Sequence, residues 1–205
     1  MRRYAMAIAL VTAVVAVAVS CARPSPPAGT ASVAGAPPSR VGTPQQPDAN
    51  PPGDIPDSQA FVTFTAPDGS FTVDVPEGWA RTASSAAVTF TDNFNSVQIE
   101  SRTGTTAPTP ASARLNELAA IAAATPSVRW GDVSTVTRSA GQAILLTYQQ
   151  DSAPNPVTGK ATTQAVERYE FFRSGQTVAL TLAAPVGADN VHPWRRVTES
   201  FHWAR

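Results

Sequence analysis

Apolar side chains recur at every second position through much of the stretch between residues 61 and 100. Phe71, Val73 and Val75 alternate with Thr72 and Asp74, and the pairs Val88/Phe90 and Val97/Ile99 repeat the pattern. Such alternation puts one set of side chains on each face of a half-buried strand. Residues 61–65 read as a further strand. The breaks carry turn chemistry: Pro67-Asp68-Gly69, where proline fixes φ and glycine takes a positive φ, then Pro76-Glu77-Gly78-Trp79 and residues 92–95. Together these segments predict an antiparallel meander with one buried face, Asp74 and Glu100 lying on the outer one.

After residue 100 the period changes. Thr109 followed by Pro110 has the form of a helix start, a hydroxyl cap and then a residue whose missing N–H is not needed in the first turn. Leu115, Leu118, Ile121 and Ala122 follow as a stripe at three- and four-residue spacing, with Arg114 and Glu117 opposite and Pro126 as the stop. This helix is expected on the apolar face of the sheet. Strand patterning returns loosely over 128–138. Residues 143–148 are apolar on both faces and are therefore expected near the centre of a sheet.

Residues 151–160, with Pro154, Asn155, Pro156 and Gly159, read as a long exposed loop. Over 164–173, Ala165, Tyr169 and Phe171 share one face, and Arg168 and Glu170 the opposite, outward one. Ser174-Gly175 is a tight hairpin turn into a strand with Val178, Leu180 and Leu182 inward. A last helix over 190–201 carries Val191, Trp194, Val197 and Phe201 on one stripe, with Arg195, Arg196 and Glu199 outward. The expected class is α+β: a single antiparallel β-sheet of about six to eight strands packed by two main helices.

The first twenty residues follow neither period. Arg2 and Arg3 precede a run that is apolar from Ala5 to Val19 apart from Thr12, short for a membrane span and long enough for the core of a signal peptide. It ends on Ala18-Val19-Ser20-Cys21, and Cys21 is the one cysteine of the 205 residues. Between Ala22 and Ala60 lie ten of the nineteen prolines, among Ala, Gly, Ser and Thr, with only Val33, Val41 and Ile55 as bulky aliphatics. Such a segment buries too little apolar surface to offset its conformational entropy, so it is expected to be a disordered tether. The expected organisation is a signal peptide over 1–20, a modified cysteine and linker over 21–59, and a folded domain over 60–205.

The order Ala18-Val19-Ser20-Cys21 resembles the lipobox of bacterial lipoproteins, with Ala18 standing where Leu or Val is usual. The resemblance implies cleavage between Ser20 and Cys21, a diacylglycerol on the Cys21 thiol, and anchoring to the outer face of the plasma membrane. Ordinary signal-peptide cleavage after Ala18 or Ala22, with secretion, and an uncleaved anchor stay open. The domain in turn resembles the PsbP-like α+β fold, which underlies actinobacterial lipoproteins of the LpqN type. The residues that carry this are Phe71, Val73, Val75, Pro76, Gly78 and Trp79 early, and Tyr169, Leu180, Leu182, Ser200 and Phe201 late. The resemblance implies a scaffold of binding and accessory proteins, mostly without catalytic residues, and no cofactor is expected.

Composition narrows the function classes. Lys and Arg number fifteen, as do Asp and Glu, and over 60–205 eleven basic residues stand interspersed with twelve acidic ones. That balance argues against nucleic acid as a partner. The two histidines, His192 and His202, do not match a metal-ligand spacing, and no Gly-x-Ser-x-Gly or Ser-x-x-Lys motif occurs. What remains is a module that binds another envelope protein, or alternatively a carrier of a lipid or other apolar ligand. Trp130, Leu118 and Tyr148 are the candidate lining of a groove between helix and sheet.

Overall fold

The computed structural model describes residues 53–204, except 126 and 155–158. Cys21, the cleavage position and most of the tether lie outside the described residues.

Among the described residues, ten strands and two helices follow in the order β1 (Phe61–Thr65), β2 (Phe71–Pro76), β3 (Ala80–Ala83), β4 (Ala87–Asp92), β5 (Asn95–Thr103), α1 (110–124), β6 (Arg129–Arg138), β7 (Gly141–Asp151), β8 (Thr163–Arg173), β9 (Gln176–Pro185), α2 (Val191–Glu199) and β10 (His202–Trp203). The class is α+β, antiparallel throughout and covered by two helices, as the periodicities indicate. Seven strands form one sheet in the order β3-β4-β5-β9-β8-β7-β6. The meander does not run through the first two strands, however. β2 pairs with β1 on one side and β10 on the other in a separate three-stranded sheet. Periodicity selects the buried face of a strand but not its neighbour, and here the C-terminal β10 closes on β2 through His202↔Thr72 and Trp203↔Phe71.

The large sheet is covered on both faces, which explains the burial of β9 at every position after Gln176. One face meets the small sheet and α2. There Phe71, Val73 and Val75 pack with Val97, Ile99, Tyr169, Phe171, Leu180, Leu182, Trp194, Val197 and Phe201 in the main core. Phe201 is fully buried, stacked on Phe171 with ring centroids 4.4 Å apart and edge-on to Trp203 at 5.1 Å. Ser200 pins this corner, its Oγ accepting the Asp74 N–H at 2.8 Å and donating to the Val197 carbonyl at 2.7 Å. Ile55, assigned by composition to the tether, is in this core as well. Its N–H donates to Asn190 Oδ1 at 2.7 Å, and Asn190 Nδ2 donates to Gly53 O and Asn95 Oδ1.

The opposite face meets α1, with Ala113, Leu118 and Ile121 against Val133, Ile144 and Leu146. The start of α1 is as expected: Thr109 caps it, Pro110 opens it, and Thr109 and Ser112 exchange capping hydrogen bonds. Its apolar stripe is not. Residues Ala113–Glu117 form a π-helical turn, which adds a residue to the turn and rotates everything after it. Ala113 and Leu118, five apart, therefore face the same cluster, while Leu115 is 76% exposed and Ala122 is exposed. Glu117 is turned inward instead of outward, and Arg114 reaches back to donate to the Val133 carbonyl at 2.6 Å.

Two further expectations are corrected. Residues 143–148 are apolar on both faces because α1 and the main core flank them, yet β7 is second from the sheet edge, and β9 is the strand buried from Thr177 to its end. In α2, Val191 is 70% exposed, and the buried set is Pro193, Trp194, Val197 and Thr198. The predicted Ser174-Gly175 turn is present, with φ of 49° and 82°, the primed geometry of a two-residue hairpin.

Candidate functional site

Two cavities run into each other along β8 where the sheet meets α2. One, of about 510 Å³, is lined among others by Arg138, Glu167, Tyr169, Asn190, Trp194 and Arg195. The second, of about 400 Å³, is lined among others by Arg129, Trp130, Gly131, Tyr148, Gln149 and Trp194. Ala165, Glu167 and Trp194 border both, so the two form one groove.

Local sequence explains its shape. β6 breaks register with β7 between Trp130 and Val133, an irregularity that bends the edge strand. Gly131 lies at this break, where a Cβ would meet Thr147 Oγ1 at 2.4 Å and the Thr147 carbonyl at 2.9 Å. The Asp132 N–H donates to Thr147 Oγ1 at 2.8 Å, so Thr147 replaces the interrupted ladder. The break leaves Trp130 43% exposed at the rim, its ring 5.9 Å from that of Tyr148.

The middle of the groove is a fixed polar relay. Tyr169 Oη donates to Glu167 Oε2 at 2.7 Å and accepts from Arg138 Nη2 at 3.0 Å, while Arg138 Nε donates to Thr198 Oγ1 at 3.1 Å. The Arg138 guanidinium also lies over the Tyr169 ring, 4.9 Å from its centroid. Burial and the bond to the Glu167 carboxylate push the Tyr169 phenol up to about 12. It therefore stays a neutral donor at physiological pH. Burial likewise raises the Tyr148 phenol.

The three groove residues expected from sequence divide. Trp130 and Tyr148 are brought together on the groove. Leu118 does not line it and packs instead with Ala113, Val133, Ile144 and Leu146. The helix bordering the groove is thus the terminal one. Arg138, Glu167 and Arg195 went unremarked as lining because no motif or spacing sets them apart; their convergence requires β6, β8 and α2 to be assembled.

A second cluster sits under α1. Arg168 and Glu170, read as outward, are 7% and 1% exposed. α1 covers this half of the sheet, and its π-turn delivers Glu117. Arg168 donates to Glu100 Oε2 and, at 2.9 Å, to Thr181 Oγ1, and it lies 3.4 Å from Glu170 Oε1 and 3.7 Å from Glu117 Oε2. Arg102 bridges Glu117 at 2.6 Å and Glu170 at 2.9 Å. Glu170 Oε2 is buried and has no hydrogen-bond partner among the described residues. Burial raises the Glu170 pKa, opposed by Arg168 and reinforced by Glu117. For Arg168 burial opposes the charge, but Glu100, Glu170 and Glu117 outweigh it and raise its pKa. Asp74 and Glu100 do not approach as a carboxylate pair: Asp74 accepts from Thr63 Oγ1 at 2.8 Å, while Glu100 is held by Arg168.

His192 and His202 are both exposed, the first in the opening turn of α2 and the second in β10. Among the described residues no group of three His, Cys, Asp or Glu side chains is disposed to hold a metal ion. Among them, too, no helix is long and apolar enough to cross a membrane.

Comparison of the sequence with protein-family models and with curated proteins finds no match. Solved structures with a similar fold include PsbP of the cyanobacterium Synechocystis, at 12% identity and a TM-score of 0.53, covering 74% of this chain and 98% of that one. They also include LpqN of Mycobacterium tuberculosis, described as involved in cell envelope biogenesis, at 18% identity and a TM-score of 0.40, covering 73% and 93%. A protein of Bacteroides thetaiotaomicron matches at 11% identity and a TM-score of 0.47, over 70% of this chain and 48% of its own length, so this chain spans about half of it. The likeness to cyanobacterial PsbP shows that the chain has the PsbP-like α+β fold.

Proposed function

We propose that this chain is a binding module of the bacterial cell envelope, held on the outer face of the plasma membrane by lipid on Cys21, with the groove under α2 as its recognition surface and no chemistry of its own. The observation that carries the reading is the make-up of that groove. Its charged and phenolic groups are bound to one another in the relay Arg138–Tyr169–Glu167, which suits a surface that presents fixed hydrogen-bonding groups. A nucleophile held against a base would suit catalysis instead. An exposed indole beside them supplies the apolar anchor that recognition surfaces favour. Charged lining also favours a protein partner over the alternative, a carried lipid, whose tails would meet Arg138, Glu167 and Arg195.

Two measurements test this. Wild type should partition into the detergent phase and Cys21→Ala into the aqueous phase or into uncleaved precursor; equal aqueous partitioning of both would remove the anchor. One acyl chain holds a protein to a membrane only marginally, whereas two or three hold it durably at about 0.8 kcal/mol per buried CH₂. For the groove, a photoreactive residue at exposed Val191 on its rim should crosslink one envelope protein in cells, while the same residue at exposed Val62 in the small sheet should not. Equal capture from both positions would sink the groove as the recognition surface.

A further inference from the structure

We propose that the groove takes an extended, acidic segment of its partner protein; this rests on the assignment of the groove as the recognition surface and names what that surface selects. The lining holds three arginines, Arg129, Arg138 and Arg195, against one carboxylate, Glu167. These charges differ in how far they are committed. Glu167 accepts the Tyr169 hydroxyl. Arg138 is spent inside the structure on Thr198, the Thr137 carbonyl and Tyr169. Glu199 accepts the Ser139 N–H at 2.9 Å and hydroxyl at 2.8 Å, and it reaches Arg138 and Arg195 only at 4.0 Å.

That leaves the two ends of the groove positive. Arg195 is 73% exposed at the α2 end. Arg129 is exposed at the Trp130 end, its Nε making a long 3.3 Å bond to Gln149. Between them the floor is Ala165 with Trp194 above it, and Trp130 and Tyr148 stand at one mouth. Two guanidiniums at the ends of a trough with aromatic and small apolar residues between them complement a chain that carries carboxylates at both ends of an apolar stretch. Guanidinium forks favour carboxylates geometrically as well as electrostatically. A basic segment would meet the same two charges as repulsion, which supplies the discrimination.

The test uses the purified protein and two acetylated, amidated pentapeptides, Glu-Val-Phe-Val-Glu and its counterpart Lys-Val-Phe-Val-Lys, titrated by amide chemical shifts and tryptophan fluorescence. The acidic peptide should bind saturably and shift the Trp130 signals, and the lysine peptide should bind at least about tenfold more weakly. Arg129→Gln and Arg195→Gln, both surface changes outside the Arg138 relay, should each weaken the acidic peptide about two- to fivefold, as exposed ion pairs do, and raised salt should do the same. Equal binding of both peptides, or unchanged affinity in both arginine variants, overturns the acidic preference; so does the absence of saturable binding at millimolar peptide. Trp130→Ala separates the two levels. If it weakens both peptides alike, the groove stands and only the preference fails. If it affects neither, the groove itself fails.

Discussion

Arg168→Met should be among the most damaging single changes on the α1 face, and the structure says by how much and under which conditions. Methionine matches the length of the arginine stem, so little packing is lost. What disappears is the cation serving Glu100, Glu170 and Glu117 together, and with it the bond to Thr181. Glu170 has a fully buried side chain, and its remaining cationic partner is Arg102, itself 44% exposed. Removing one member of a buried pair strands the other charge and costs about 3–5 kcal/mol. In a domain of this size that is a fall in melting temperature of roughly 10 °C.

The pH dependence follows from the sign of the Glu170 shift. Its folded pKa is raised, chiefly by burial. Its contribution is therefore fully present below the unfolded carboxylate pKa and is lost as pH rises through the folded value. Without Arg168 that value moves up again. The loss caused by Arg168→Met should thus be larger at pH 8 than at pH 5, because protonation of Glu170 removes the stranded charge. Urea unfolding followed by circular dichroism at both pH values measures this. The double variant Arg168→Met/Glu170→Met should regain about 1–3 kcal/mol over Arg168→Met, because no stranded charge remains. A loss below about 1 kcal/mol, a loss independent of pH, or strict additivity in the double variant would refute the account.

Phe201→Ala should cost about 3–5 kcal/mol in the same unfolding assay, since the ring is fully buried between Phe171, Phe71 and Trp203. Gly131→Ala should cost about 1–3 kcal/mol and speed amide hydrogen exchange along β6, because the new methyl meets the Thr147 carbonyl at 2.9 Å; unchanged exchange would show that the strand break does not depend on this glycine. Tyr169 should ionise only near pH 12 by ultraviolet absorbance. Its raised pKa adds stability that is present below the ordinary tyrosine value and lost as pH rises towards 12. Glu167→Gln should bring the ionisation down, since the Glu167 carboxylate is the second cause of the shift after burial.

Legibility of the fold and of the groove followed the range of the interactions involved. The strands of the large sheet other than β3, the primed turn at Ser174-Gly175, the cap at Thr109 and the helices at 110–124 and 191–199 rest on periodicity and on contacts within a few residues. Those signals are local, so the sequence contains them entire. β3 escaped notice because Ala80–Ala83 is exposed throughout and carries no alternation. The split into two sheets escaped because β2, paired with β1, takes as its second partner β10, more than a hundred residues away, and not the next strand, β3.

The groove was half visible. Trp130 and Tyr148 could be picked out as aromatics in the strands after the first helix, whereas Arg129, Arg138, Glu167 and Arg195 are spread over three elements that only meet in the fold. The inner cluster was misread for a related reason. Arg168 and Glu170 alternate with buried aromatics as surface residues do, and nothing local shows that a helix will close over them. Still less does it show that a π-turn will swing Glu117 beneath that helix and leave Leu115 in water. By itself, then, the sequence determined the class of fold and the type of each element, because backbone preference and side-chain period are set within a turn or a strand. Tertiary structure alone decided which strands pair, which charges are buried and which side chains share a groove, because those depend on what covers each face.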